Sequence, residues 1–145
     1  MKGQNCIKLE FPAQSANEGF ARAAAAAFAV QMDPTLEELG DIKTAVSEAV
    51  TNAIVHAYPD TIGLVQMRLR ILDGNVLEIR VSDRGCGIGD ISRAMEPMYS
   101  TGGEERSGMG FTIMSSFTDS LRVKSAPGKG TTVTMAKKLA VRVRA

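Results

Sequence analysis

Glu48, Asn52 and His56 recur at four-residue spacing in a segment with the apolar period of a helix. At 100° per residue each step turns about 40°, so the three share a face apart from the apolar stripe of Ile42, Val46, Ala49, Ala53 and Ala57. A carboxylate and a carboxamide one turn apart can divide the work of phosphoryl transfer. Glu48 would hold or deprotonate an attacking hydroxyl, and Asn52 would offer its carbonyl oxygen to magnesium. The competing reading is a solvated polar face. His56, beside Tyr58 and Pro59, is also placed to complement the helix dipole.

Two glycine-rich segments follow. In Asp83-Arg84-Gly85-Cys86-Gly87-Ile88-Gly89, alternate glycines let the backbone pass close to a flat ligand, where a Cβ would obstruct it. Asp83 can accept a hydrogen bond from an exocyclic amine such as that of adenine. The bland alternative is a tight turn after an edge strand. The pattern is neither the Gly-x-Gly-x-x-Gly of dinucleotide folds nor the Gly-Lys-Ser of phosphate-binding loops. Further on, Ser107-Gly108-Met109-Gly110 opens a helix-like segment. The free amides and positive end of such a helix favour phosphate, and Arg106 can add a charge-assisted bond to a terminal phosphate. A hinge at the same glycines is compatible with that role. Thr131 and Thr132 follow a turn on the last strand, where an inward hydroxyl would meet the base; plain β-propensity is the alternative. Together these elements suggest an ATP site.

Such residues need a scaffold, and the pattern supplies one. Cys6 to Phe11 alternates as a first strand. Ser15-Ala-Asn-Glu18 has the form of a capping box, predicting a helix over 16–31. Pro34 suits the first turn of a second helix, which is expected from Thr35 or Leu36 to about Ala57. Val65, Met67, Leu69 and Ile71 alternate along a second strand, Asp73-Gly74 signals a hairpin, and Leu77, Ile79 and Val81 continue to Asp83. The stretch 84–107 has weak periodicity and the length of a functional loop, with an ATP lid expected at about 95–107. A short helix over 108–117 and a hairpin of strands 121–125 and 131–139 close the chain. Strand, two helices, hairpin, lid, helix, hairpin predicts an α+β two-layer sandwich, its mixed but mainly antiparallel sheet covered by helices on one face.

The bulk numbers exclude several classes. A chain of 145 residues reads as a single domain, 1–145, with enough length for a real core. Hydrophobic content of 44% with 23% charged is that of a soluble protein, and a net charge of +1 argues against direct nucleic-acid or membrane binding. No signal peptide pattern opens the chain, and no apolar run approaches the ~20 residues needed to span a bilayer. Two cysteines, Cys6 and Cys86, give no disulfide framework, so a reducing cytoplasm is expected. One histidine and no Cys-x-x-Cys argue against zinc; any metal would be Mg2+ brought with a nucleotide.

Taken in order, Glu48-x-x-x-Asn52, Asp83-x-Gly-x-Gly87 and Gly108-x-Gly110 resemble the nucleotide boxes of the superfamily shared by gyrase, the large heat-shock chaperone, sensor histidine kinases and mismatch-repair MutL. Within it the chain resembles the small anti-sigma serine kinases, the anti-sigma F family of spore-forming bacteria above all. The resemblance rests on Ser47-Glu-Ala-Val-Thr-Asn-Ala-Ile-Val-His56, Glu105-Arg-Ser-Gly-Met-Gly-Phe-Thr-Ile-Met114, Phe20-Ala-Arg22 and Gly130-Thr-Thr132. It implies an ATP-dependent protein-serine kinase that holds a sporulation sigma factor away from RNA polymerase, phosphorylates an anti-anti-sigma protein on serine, and acts as a homodimer. It implies Glu48 as catalytic base, Asn52 on magnesium and Asp83 on the adenine amine of ATP or ADP. Gly85, Gly87, Ser107, Gly108, Met109 and Gly110 would lie along the nucleotide, Arg106 near its terminal phosphate, and Thr131 or Thr132 near adenine. Arg22 would belong to the surface offered to protein partners. Relatives often carry a lysine after the paired threonines of the lid, where this chain has Ser100-Thr101-Gly102-Gly103. The alternatives are a histidine-kinase-type catalytic domain and a non-catalytic, nucleotide-gated sigma-binding module.

Overall fold

The alternation along each strand decides which face of the sheet turns inward. The computed structural model describes residues 3–57, 62–87 and 110–141, and within them five strands form one sheet. These are β1 (Gly3–Pro12), β2 (Leu64–Leu72), β3 (Val76–Asp83), β4 (Ser120–Ala126) and β5 (Gly130–Lys138). Their order is β1-β2-β3-β5-β4, and all four pairings are antiparallel. Val65, Met67, Leu69 and Ile71 of β2 face inward with Leu77, Ile79 and Val81 of β3 and with Val133 and Met135 of β5, all buried. The intervening residues, among them Arg68, Arg70, Glu78 and Arg80, occupy the other face.

Among the described residues three α-helices cover the apolar face: α1 (Ala16–Ala29), α2 (Leu36–Asn52) and α3 (Gly110–Phe117), with α2 packed between the other two. On α1 the inward stripe is Ala21, Ala25, Phe28 and Ala29. On α2 it is Ile42, Ala45, Val46, Ala49 and Val50. Alanine on both stripes lets the two helices approach closely, and their buried side chains join one core with those of the sheet. The architecture is the expected α+β two-layer one.

Local expectations fared unevenly. Ser15 makes no cap: its backbone is helical (φ −58°, ψ −31°) and its side chain accepts nothing from the first turn. Glu18 instead reaches Arg22 at 3.7 Å, and Asn17 Nδ2 donates to Pro12 O at 2.9 Å. The capping box forms at Thr35, whose hydroxyl accepts from Glu38 N at 3.0 Å while Thr35 N donates to Glu38 Oε1 at 2.9 Å. Pro34 therefore precedes the N-cap rather than opening the first turn. The first helix ends at Ala29 and tightens into a 3-10 turn over Val30–Met32, and the second continues past Asn52 as a π-helical turn over Ala53–Ala57. The hairpin after β2 closes through three residues, with Gly74 at φ 83° and Asn75 at φ 62°. Asn75 Nδ2 also donates to Leu139 O at 2.9 Å, fastening the chain beyond β5 to that turn.

Candidate functional site

Strand register assembles the polar cluster. Asp83 lies two residues beyond Val81, so it faces the helices, and its β5 partner is Thr131. Thr131 in turn pairs with Ser125 at the end of β4. Ser125, Thr131 and Asp83 thus form a row across three strands, one step beyond the apolar row of the half-buried Val123 and the buried Val133 and Val81. Thr132 belongs to the opposite face, where its hydroxyl lies 3.3 Å from Ser82 Oγ. The two threonines that the sequence left as alternatives are therefore separated by the sheet itself.

Asp83 Oδ1 accepts two backbone N–H groups, from Gly85 at 2.9 Å and from Thr131 at 3.2 Å. Among the described residues Oδ2 accepts no bond. Burial pushes the Asp83 carboxyl above the usual aspartate range, and the two N–H groups offset this only in part. No cation among the described residues compensates it. A half-buried carboxylate with open lone pairs on one oxygen suits a ligand N–H donor.

The loop after Asp83 is held by the β4–β5 turn. Gly128 N donates to Cys86 O at 2.6 Å. Gly87 sits at φ 75°, and a Cβ there would come within 2.0 Å of Ala126 O. A Cβ on Gly130, at φ 86°, would come within 2.1 Å of Asp83 O. Gly87, expected at the close approach of a ligand, is constrained first by the chain's own backbone. That contact joins segments far apart in sequence, so spacing alone carries no signal for it.

Glu48 and Asn52 both lie on α2, one turn apart and half-buried. The π turn that follows Asn52 packs against β3 and β5, the strands that carry Asp83 and Thr131. The helix end bearing the carboxylate and carboxamide is thereby brought to the two strands that bear Asp83 and Thr131. Because the π turn advances fewer degrees per residue than an α-helix, the 40° step does not extend to His56, whose side chain is not described. Such turns inside α-helices occur frequently at functional sites. Gly110, buried, begins α3, which Lys137 ties in place by bonds of 3.2 Å to Phe117 O and to Asp41 Oδ2 of α2. Gly89, Arg106, Ser107, Gly108, Met109 and the lid over 95–107 lie outside the described residues. Gly85 is half-buried beside Asp83, and Arg22 stands exposed on α1 near the exposed Phe20. Among the described residues no group of three His, Cys, Asp or Glu side chains could hold a metal alone. No helix there is long and apolar enough to cross a membrane.

Comparison with known proteins adds to this geometry. Residues 11–137 match the family model of the histidine kinase-like ATPase domain. The chain is 55% identical to the anti-sigma F factor of Caldanaerobacter subterraneus subsp. tengcongensis, over 94% of this chain and 96% of the relative. It is 50% identical to the anti-sigma F factor of Clostridium acetobutylicum, over 95% and 96% respectively. Among solved structures, the RsbU and RsbW domains of a Mycobacterium tuberculosis protein superpose with a TM-score of 0.70 at 18% identity, over 97% of this chain and 34% of that one. The histidine kinase domain of the Erythrobacter litoralis blue-light activated kinase gives 0.59 at 25% identity, over 84% and 61%.

Proposed function

The chain belongs to the histidine kinase-like ATPase family, among its anti-sigma F factors, and on that premise we propose that it is an ATP-dependent protein-serine kinase. It would sequester a sporulation sigma factor and phosphorylate an anti-anti-sigma protein on serine. The observation that carries the nucleotide part is Asp83, a half-buried carboxylate satisfied on one oxygen by backbone N–H groups and, among the described residues, open on the other. Its open oxygen accepts from the amine of adenine, with Thr131 beside it, while Gly85 and Gly87 keep the loop in place. Asn52 offers its carbonyl oxygen to the magnesium that accompanies the phosphates, a hard oxygen donor suited to that ion. Magnesium, when bound, neutralises charge on the phosphates and on the leaving diphosphate. Glu48, one turn earlier, accepts the proton of the serine hydroxyl as its oxygen bonds to the terminal phosphorus; the bond from phosphorus to the bridging oxygen breaks and ADP leaves. Arg106 with Ser107 to Gly110 completes the phosphate end, and Arg22 with Phe20 contributes to the protein-binding surface. The protein acts in the cytoplasm as a homodimer of one domain per chain, 1–145.

Incubation with labelled ATP, magnesium and a candidate anti-anti-sigma protein tests this reading. Label is expected on a partner serine, and Glu48→Gln is expected to keep ATP binding while losing about 10²–10⁴-fold in transfer. Label on His56 would favour a histidine-kinase reaction instead. Transfer by Glu48→Gln at the wild-type rate would remove Glu48 as base.

A further inference from the structure

Lys137 follows Val133 and Met135 on β5 at period two, so it too faces the helices, opposite Leu77 of β3. Its side chain is only 13% exposed. A cation in an apolar layer is costly unless its donors and its charge are met. Lys137 Nζ donates to Asp41 Oδ2 of α2 at 3.2 Å and to Phe117 O, the last carbonyl of α3, at 3.2 Å. The carboxylate supplies the counter-charge, and the negative end of α3 adds to it. One ammonium therefore joins α2 to α3 from the strand beneath both. The bonds beside it, Asp119 N to Ala136 O at 2.8 Å and Lys138 N to Asp119 Oδ2 at 2.6 Å, tie the chain after α3 to β5 and do not reach α2.

The points that Lys137 grips are in step with the points that act. Asp41 precedes Glu48 by seven residues on α2, and Phe117 follows Gly110 by seven on α3. Seven residues fall about 20° short of two turns and rise about 10 Å. The face of α2 held by Lys137 is thus the face that presents Glu48, and an equal length of α3 leads to the glycine that opens the phosphate side. We infer that Lys137 is a positioning residue for phosphoryl transfer, locking the helix that bears the general base against the helix that begins at the phosphates. The inference rests on the kinase reading above and deepens it. Adenine is held elsewhere, by Asp83 and Thr131 on the paired strands β3 and β5. A loosened pair of helices therefore alters the reacting geometry and leaves the adenine end intact. A misplacement of about 1 Å caused far from the chemistry can cost about 10²-fold in rate.

Lys137→Met keeps most of the apolar stem and removes the charge. On the full chain with magnesium, calorimetry is expected to find its ADP affinity within about 2-fold of the wild type. Transfer from ATP to an anti-anti-sigma protein is expected to lose about 10-fold or more in kcat, with KM for ATP within about 3-fold. Lys137→Arg, which keeps a cation with donors for both oxygens, should recover most of that kcat. Lys138→Met, at the exposed neighbouring position, should leave kcat unchanged. Should Lys137→Met not fold, Asp41→Ala reads the same link from α2 and should show the same split between kcat and ADP affinity. Wild-type kcat in folded Lys137→Met or Asp41→Ala overturns the inference and leaves the kinase reading standing. Parallel losses of kcat and ADP affinity overturn it as well, since they mark a general weakening of the fold. A wild-type protein that transfers no phosphate to serine overturns the kinase reading, and the inference with it.

Discussion

Glu78 and Asp83 stand on the same strand, on opposite faces of the sheet, and their carboxyl groups meet opposite surroundings. Glu78 Oε1 receives Arg68 Nη2 at 2.8 Å and Arg70 Nη2 at 2.7 Å. Burial works against its charge, but the hydrogen bonds and charges of the two guanidinium groups outweigh it and hold Glu78 below the usual glutamate range. Among the described residues Asp83 has only backbone N–H groups, and burial leaves it above its usual range. The face opposite the described helices neutralises its buried carboxylate with its own cations. The face that carries the polar row leaves one oxygen of its carboxylate open. A charge satisfied within the fold is structural, and a charge held half-satisfied at the end of a strand is available to a ligand.

The largest way to break this contrast is to disturb the seat of Asp83. Gly130→Ala would drive a Cβ to within 2.1 Å of Asp83 O from a backbone at φ 86°, and is expected to destabilise the protein by about 2–5 kcal/mol. Gly74→Ala shares the left-handed φ, at 83°, with nothing within 4 Å, and should cost only about 1–2 kcal/mol. Urea unfolding of the two variants measures the difference. Next in size, Glu78→Gln leaves two guanidinium groups without a counter-charge. Their side chains are 19% and 30% exposed, so solvent takes part of the loss, and about 1–2 kcal/mol is expected, with nucleotide affinity unchanged.

The smallest effect is the dependence on pH, and the two carboxyls have opposite signs. The lowered Glu78 contributes stability that is present above its unfolded pKa and is lost as pH falls through its folded one. The raised Asp83 contributes stability that is present below its unfolded pKa and is lost as pH rises through its folded one, so its ionised form costs the empty protein stability near neutrality. Because a donor ligand needs the ionised form, ADP affinity should fall on acidification, beginning above the usual aspartate range. Carboxyl titration by NMR, with and without ADP, should show Glu78 titrating low in both states and Asp83 moving down when ADP binds.

Much of this arrangement was legible in the sequence, and the exceptions have physical reasons. Period-two alternation in 65–71 and 77–81 identified the inward faces because half the sheet is buried. The face of α2 that carries Glu48 and Asn52 followed from its apolar stripe. The capping box expected at Ser15 to Glu18 did not close, and the one that formed, at Thr35 to Glu38, was not singled out in the sequence. The cap requires extended backbone at its first residue; Thr35 has it at ψ 165°, and Ser15 does not. Thr131 and Thr132 could not be told apart because parity means nothing until the strand is registered against Asp83. The π turn after Asn52 meets β3 and β5, strands distant in sequence, and no local spacing announces that contact.

The central claim is that Asp83, and not Glu78, is the carboxylate that meets the nucleotide. Calorimetry of ADP with magnesium on Asp83→Asn, alongside thermal unfolding of the empty protein, tests it most directly. The substitution replaces an acceptor by a donor at the open oxygen while keeping an oxygen for Gly85 and Thr131. ADP affinity should fall by about 5–150-fold, the equivalent of about 1–3 kcal/mol, while the melting temperature of the empty protein holds or rises. Wild-type ADP affinity in a folded Asp83→Asn protein would contradict the account.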